Sequence, residues 1–245
     1  MTAAVAAPSP FAAVWFDCDS TLCAIEGVDE LLRFAPPALR TEIATLTERA
    51  MNGDLPLADV YGARLAALRP RREQLEAVGE LYCQRLTAGA RETVAALQWL
   101  GKQVGICSGG LVVPVLRVAR ELGIDREHVR AVAVTFAADG SYLGFEPGPL
   151  TQNGGKATVL AALPAASRPL AFVGDGVTDL ETMGHVARFV GFGGVVARAA
   201  VRQRAGFFTA APTLAAVLPF VTTAAEQERL RGDATFQRLL SAPPS

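Results

Sequence analysis

Lysine is nearly absent from this 245-residue chain. Of its 23 basic residues only Lys102 and Lys156 are lysine, and the other 21 are arginine. A surplus of charge is absent too, since 24 acidic residues leave a formal charge of −1. That excludes a dedicated nucleic-acid binder, whose backbone affinity comes from excess Lys and Arg. No apolar run approaches the roughly 20 residues of a membrane helix, so no membrane partner is expected. The four cysteines, Cys18, Cys23, Cys83 and Cys107, contain no C-x-x-C pair. Free buried thiols in a cytoplasmic protein are expected, not a disulfide framework or a thiolate metal site. The start, MTAAVAAPSPFAAV, lacks a basic segment ahead of a long apolar one, so no signal peptide is expected. His128 and His185 have no partner pattern and receive no role. Apolar residues, by contrast, are plentiful at 51%. The length suits one core of about 150 residues plus a smaller unit.

Four short apolar runs read as buried strands, at 12–16 (AAVWF), 103–107 (QVGIC), 170–173 (LAFV) and 188–192 (RFVGF). Segments of helical period lie between them, for example 91–100 and 111–122, which predicts an α/β protein with a parallel sheet covered on both faces. Residues 131–145 read as a hairpin turning at Asp139-Gly140. Residues 27–86 carry no strand signal and read as four amphipathic helices, at 28–35, 37–51, 57–68 and 71–86. Inserted after the first strand, they are a candidate cap over the C-terminal sheet edge, where open α/β sheets bind ligands. The predicted organisation is a core of 11–25 and 88–222, a helical cap of 26–87, and tails at 1–10 and 223–245. The second tail is expected to hold a polar surface helix from about Ala224 and a frayed SAPPS end.

Chemistry concentrates at strand ends. In FDCDST (16–21), Asp17 and Asp19 stand one residue apart, and an extended chain aims both carboxylates the same way. Such a pair repels itself unless a cation intervenes or one keeps a proton. The first outcome is a hard divalent metal site; the second is a nucleophile beside a protonated acid. The bland alternative is a turn that one of them caps. In FVGDGVTDLE (172–181), a helix starting at Gly176 would hold Asp179 near Asp175, either toward the same site or as a simple helix cap. Two acidic strand ends in one parallel sheet converge, and Mg²⁺ would neutralise them. CSGGL (107–111) predicts a turn with backbone N–H groups at a helix N-terminus, an anion site. In NGGK (153–156), Lys156 reads as a chosen point charge, or as a surface lysine opening a helix. Together these parts suit phosphoryl transfer, with Ser108 and Lys156 balancing charge on the phosphoryl group.

The motifs DCDST, SGG, GGK and GDGVTD resemble, in order, the four signature motifs of the haloacid dehalogenase superfamily. More narrowly the chain resembles the phosphoserine phosphatases, through EGVDELLRF (26–34), LTERAMNGDLPL (46–57), RLAALRP (64–70), GICSGGL (105–111) and GFGG (191–194). The likeness covers roughly residues 11–220. It implies a Rossmann-like parallel core with a helical cap and a small β-hairpin insertion. The implied activity is Mg²⁺-dependent hydrolysis of O-phospho-L-serine through an aspartyl phosphate, by a monomer or homodimer. Asp17 would be the nucleophile and Asp19 the acid/base. The metal would be held by the Asp17 carboxylate, the Asp19 backbone carbonyl and Asp175, with Asp179 supporting from behind. Ser108, the N–H of Gly109 and Lys156 would bind phosphate. Glu26 would meet the substrate ammonium and Arg64 its carboxylate, with Met51 lining the pocket and Thr178 and Arg198 nearby.

Some positions depart from the family pattern. Val132 and Ala133 replace Asn-Arg, Val195 replaces an Asn after GFGG, and Leu57 replaces an aromatic. These departures touch substrate preference and cap closure and remove no catalytic atom. The alternatives are a related phosphatase or phosphotransferase for phosphohomoserine, a phospho-amine alcohol or a sugar phosphate, and a phospho-ligand sensor without turnover. Glu26 and Arg64 discriminate, because a neutral sugar phosphate would not need both.

Overall fold

The computed structural model describes residues 10–51 and 57–240. The lead-in before residue 10 and the SAPPS end lie outside the described residues, as do the side chains of Met51 and Leu57. Strand β1 (Ala13–Phe16) is buried along its whole length, which explains why AVWF carries no polar residue. A tight turn then leads into four helices, α1 (Gly27–Leu32), α2 (Pro37–Met51), α3 (Leu57–Leu68) and α4 (Arg72–Gln84). The chain continues through α5 (Ala90–Trp99), β2 (Gln103–Leu111), α6 (Val112–Glu121), β3 (Val129–Val132), β4 (Val134–Phe136) and β5 (Tyr142–Phe145). It ends with α7 (Gly155–Ala161), β6 (Leu170–Gly174), α8 (Val177–Leu180), β7 (Arg188–Phe192), α9 (Ala199–Arg204), β8 (Phe208–Thr209), α10 (Leu218–Val221) and α11 (Ala224–Gly232).

Six strands form one sheet in the order β3-β2-β1-β6-β7-β8, all neighbours parallel. Alternation along β1 serves two cores. Val14 and Phe16 join Ile106, Val115 and Leu97 on one face, and Ala13 and Trp15 join Leu160, Phe172 and Phe189 on the other. The strand order reverses between β1 and β6. Connections leave in opposite directions there and open a crevice at the C-terminal edge.

Helix α4 anchors the four-helix segment to the rest of the molecule. Its buried side, Leu75, Val78, Gly79 and Tyr82, faces Pro114, Val115, Val118 and Ala119 of α6. Arg117 of α6 reaches back to Glu80 at 2.7 Å. Among the described residues no helix is long and apolar enough to cross a membrane. All four cysteines are free, three of them buried and Cys83 half-buried.

Two expectations change. The AVAVTF run is two elements, because β3 adds to the edge of the main sheet while β4 leaves to pair antiparallel with β5. Strand β2 does not stop at Cys107. It continues through Ser108, Gly109 and Gly110 with a shifted register to β3, and α6 starts only at Val112. Ser108 and Gly109 therefore lie on an irregular strand end, not at a helix N-terminus. The expected C-terminal surface helix is present as α11, with Leu230 its one buried residue, and Phe236 beyond its end is nearly buried.

Candidate active site

Phe16 of β1 sits in register with Val173 of β6, and the Asp17 N–H donates to the Val173 carbonyl at 2.9 Å. Asp17 and Asp175 therefore leave the sheet side by side. Asp179 follows in the single turn of α8, where its carboxylate accepts the Gly176 N–H at 2.7 Å. Residue 174 has to be glycine, since a Cβ there would overlap the Asp179 carboxylate. One oxygen from each of Asp17, Asp175 and Asp179 lies within 4.8 Å of the others, and all three residues are buried.

Lys156, in the first turn of α7, reaches into this cluster. Its ammonium is 2.7 Å from Asp17 Oδ2 and 2.5 Å from Asp179 Oδ1. Burial works against that charge, but the attraction of Asp17 and Asp179 outweighs it and raises the lysine pKa. The carboxylates stay under-compensated. Burial, then repulsion from Asp17 and Asp179, pushes Asp175 up to about 7 against the pull of Arg198. Burial and Asp17 push Asp179 up to about 6 despite Lys156. Arg198 Nε donates to Asp175 Oδ2 at 2.9 Å and Thr21 Oγ1 to Asp175 Oδ1 at 3.1 Å. Buried carboxylate oxygens in excess of their cations are the donor set of a hard divalent ion, and Mg²⁺ fits it.

The path from Asp17 to Asp19 departs from the extended-chain expectation. The chain is not extended between them, because Cys18 opens a tight turn in which Ser20 adopts φ 51°. The Asp19 side chain is turned to the helical segment. Its Oδ1 accepts the Gly27 N–H at 2.9 Å and the Tyr82 hydroxyl. Burial, with Glu26 and Asp17 nearby, pushes it up to about 7, against the pull of those two hydrogen bonds. Ser20 Oγ donates to Glu26 Oε1 at 2.6 Å, and Arg198 Nη2 reaches the same oxygen at 3.2 Å. Arg198 thus bridges Glu26, at the start of α1, to Asp175 of the sheet.

Arg64, on α3, is half-buried, and its Nε is buried without a hydrogen-bond partner. Among the described residues its guanidinium makes no ion pair. Burial lowers its pKa, opposed by Asp29, Tyr61 and Glu26. Tyr61 of the same helix donates to the Gly109 carbonyl at 2.9 Å. Ser108 is fully buried, its Oγ accepting the Gly110 N–H at 3.0 Å. A Cβ on Gly110 would stand 3.1 Å from both Asp19 Oδ2 and Ser108 Oγ, so the β2 end adjoins the carboxylates. Thr178 lies half-buried in α8, and the Met51 side chain is outside the described residues. Tyr61 and Tyr82 were not legible as site residues. Their one signal was scarcity, three tyrosines in the chain with two in the helical insert.

A family model of haloacid dehalogenase-like hydrolases matches residues 14–184. The chain belongs to that family. Within it, the chain is 37% identical over 199 residues to the phosphoserine phosphatase of Rattus norvegicus, spanning 80% of this chain and 88% of the relative. It is 35% identical to the chloroplastic phosphoserine phosphatase of Arabidopsis thaliana, over 79% of this chain and 66% of that one. Among solved structures, a phosphoserine phosphohydrolase-like protein from Francisella tularensis superimposes with a TM-score of 0.68 at 27% identity, covering 89% of this chain and 98% of the other. This haloacid dehalogenase-like chain therefore shares both sequence and fold with its relatives over most of its length.

Proposed function

We propose that this haloacid dehalogenase-like hydrolase hydrolyses O-phospho-L-serine to L-serine and phosphate, with Asp17 as nucleophile. The observation that carries this reading is the setting of Asp17. It stands at the strand-order reversal, buried, ion-paired to Lys156 and clustered with Asp175 and Asp179. The relatives named phosphoserine phosphatase support the choice of substrate.

In the first step an Asp17 oxygen attacks phosphorus and the bond to the serine oxygen breaks, giving an aspartyl phosphate. Asp19 gives its proton to the departing oxygen. In the second step Asp19 takes a proton from water as that water attacks phosphorus, which frees phosphate and restores Asp17. Lys156, Ser108 and the Gly109 N–H balance charge on the phosphoryl oxygens. Asp17, the Asp19 carbonyl and Asp175, with Asp179 behind, would hold Mg²⁺, which would supply positive charge to the phosphoryl group. Helices α1–α4 act as a cap that reads the amino acid. Arg64 takes its carboxylate, Glu26 its ammonium, and Met51, Thr178 and Arg198 border the pocket. Free thiols accord with a cytoplasmic enzyme.

The test is kcat/KM with Mg²⁺ for O-phospho-L-serine, phosphohomoserine, phosphoethanolamine and a hexose phosphate. Phosphoserine should exceed phosphoethanolamine by at least about 30-fold, the value of one charge-assisted contact. Equal or better turnover of the others would overturn the substrate assignment.

A further inference from the structure

Tyr82 belongs to α4, far along the chain from the strand ends, yet its hydroxyl reaches the Asp19 carboxylate. It is 1% exposed, and its hydroxyl shares Oδ1 with the Gly27 N–H. Residue 27 carries no side chain for a local reason: a Cβ there would collide with the Tyr82 hydroxyl. The two donors meet on one oxygen and leave the other, Oδ2, on the side of Ser108 and Gly110. Burial and the adjacent Asp19 raise the phenol pKa well above its ordinary value, so it remains a donor.

We propose that Tyr82 is a positioning residue for Asp19. Its O–H and the Gly27 N–H together clamp Oδ1, so that Oδ2 is the oxygen that delivers the proton to the leaving group. The inference rests on the proposed reaction and deepens it, since it assigns the two carboxylate oxygens of the acid/base to different tasks. It also gives α4 a task beyond anchoring, because the helix that packs on α6 carries the residue that aims the acid. A carboxylate freed of one of its two donors rotates about its terminal torsion, a broad well that packing alone does not restrain. The proton would then be held at the wrong distance and angle in the transition state.

The prediction is specific to leaving groups. Serine leaves as an alkoxide and needs a proton, whereas p-nitrophenolate departs as a stable anion and needs little help. Because kcat/KM covers steps only as far as the aspartyl phosphate, the later work of Asp19 on water does not enter. Tyr82→Phe should lower kcat/KM for O-phospho-L-serine by about tenfold or more, and for p-nitrophenyl phosphate by less than about threefold. In an Asp19→Asn background the same change should have no further effect on either substrate, because its route to the chemistry is gone. Should Tyr82→Phe fold poorly, as thermal denaturation would reveal, Gly27→Ala displaces the hydroxyl without removing it and should skew the ratio the same way. An equal loss with both substrates, or a Tyr82→Phe effect that persists at full size in Asp19→Asn, overturns the inference and leaves the reaction standing. No phosphomonoesterase turnover by the wild-type chain overturns the reaction and the inference with it.

Discussion

Lys156 shows how much one residue type can mean. Its ammonium is buried between Asp17 and Asp179, and a flexible compact charge serves both where a planar guanidinium would need more room. The scarcity of lysine made that position visible before any geometry did. Asp17 is its other half. Asp17→Asn should lower kcat at least about a thousandfold, since an amide cannot attack phosphorus. The melting temperature should stay near wild type, because Lys156 keeps Asp179. Near-wild-type turnover would remove the covalent route.

Arg64 tests the substrate instead of the chemistry. Its Nε is buried without a partner in the described structure, which suits a group awaiting an anion. Arg64→Ala should cut kcat/KM for O-phospho-L-serine by roughly 30-fold to a few thousandfold. The loss with p-nitrophenyl phosphate, which has no carboxylate, should be far smaller. Arg64→Lys should recover only part of the difference, a point charge replacing a two-pronged donor. A substrate ratio equal to wild type in both variants would mean that α3 does not read an amino acid.

Elements differ in how plainly the sequence announces them. Helices α2 and α3 match the sequence reading at both ends, because each runs three or more turns between Pro and Gly breaks, at Pro36, Gly53, Pro56 and Pro70. Strand β8, with two residues, has no period to read. The 129–136 stretch is β-rich throughout, and only its neighbours decide that half joins the sheet and half the hairpin. Helix α11 is the clearest case of a contact invisible in one dimension. Its Glu226 meets Lys102, whose side chain is 2% exposed, at 2.6 Å across the molecule. Lys102 otherwise has the Phe11 carbonyl at 3.0 Å. Glu226→Ala should destabilise the fold by about 3–5 kcal/mol, since it strands a buried ammonium. In a chain of this size that is roughly 10 °C in melting temperature. The pair replaced together, Lys102→Met with Glu226→Leu, should recover most of it. A Glu226→Ala protein that melts with wild type would show the pair to be of no consequence.

For the whole molecule, the parallel sheet sets the electrostatics by bringing three carboxylates to one edge. Asp175 titrates at about 3.9 in an unfolded chain and is raised to about 7 in the fold. The folded state therefore binds this proton more tightly, and between about pH 4 and 7 stability falls as pH rises. In chelator, Asp175→Asn should be more stable than wild type at pH 8, by up to about 4 kcal/mol, and no more stable near pH 4. With Mg²⁺ the order should reverse, because the ion stabilises the chain that binds it more tightly. Thermal denaturation at both pH values, with chelator and with Mg²⁺, checks all of this. Identical melting of the two proteins in chelator at pH 8 would rule out the repulsion.

The sequence by itself determined that β1, β2, β6 and β7 are buried strands, that four helices follow the first of them, and that Asp17, Asp19, Asp175, Asp179 and Lys156 are the candidates for the chemistry. These are local properties: apolar periodicity, and reactive side chains where apolar runs stop. Tertiary structure decided where the side chains point. It set Asp19 Oδ1 against the Gly27 N–H and the Tyr82 hydroxyl, because Cys18 opens a tight turn after Asp17. It kept Ser108 on a strand, because β2 continues past Cys107 and rejoins β3 at Leu111. It brought Tyr61, Tyr82 and Arg198 to the site from elements remote in the chain. Spacing along a chain carries no information about such meetings, since each depends on how two separately formed surfaces pack.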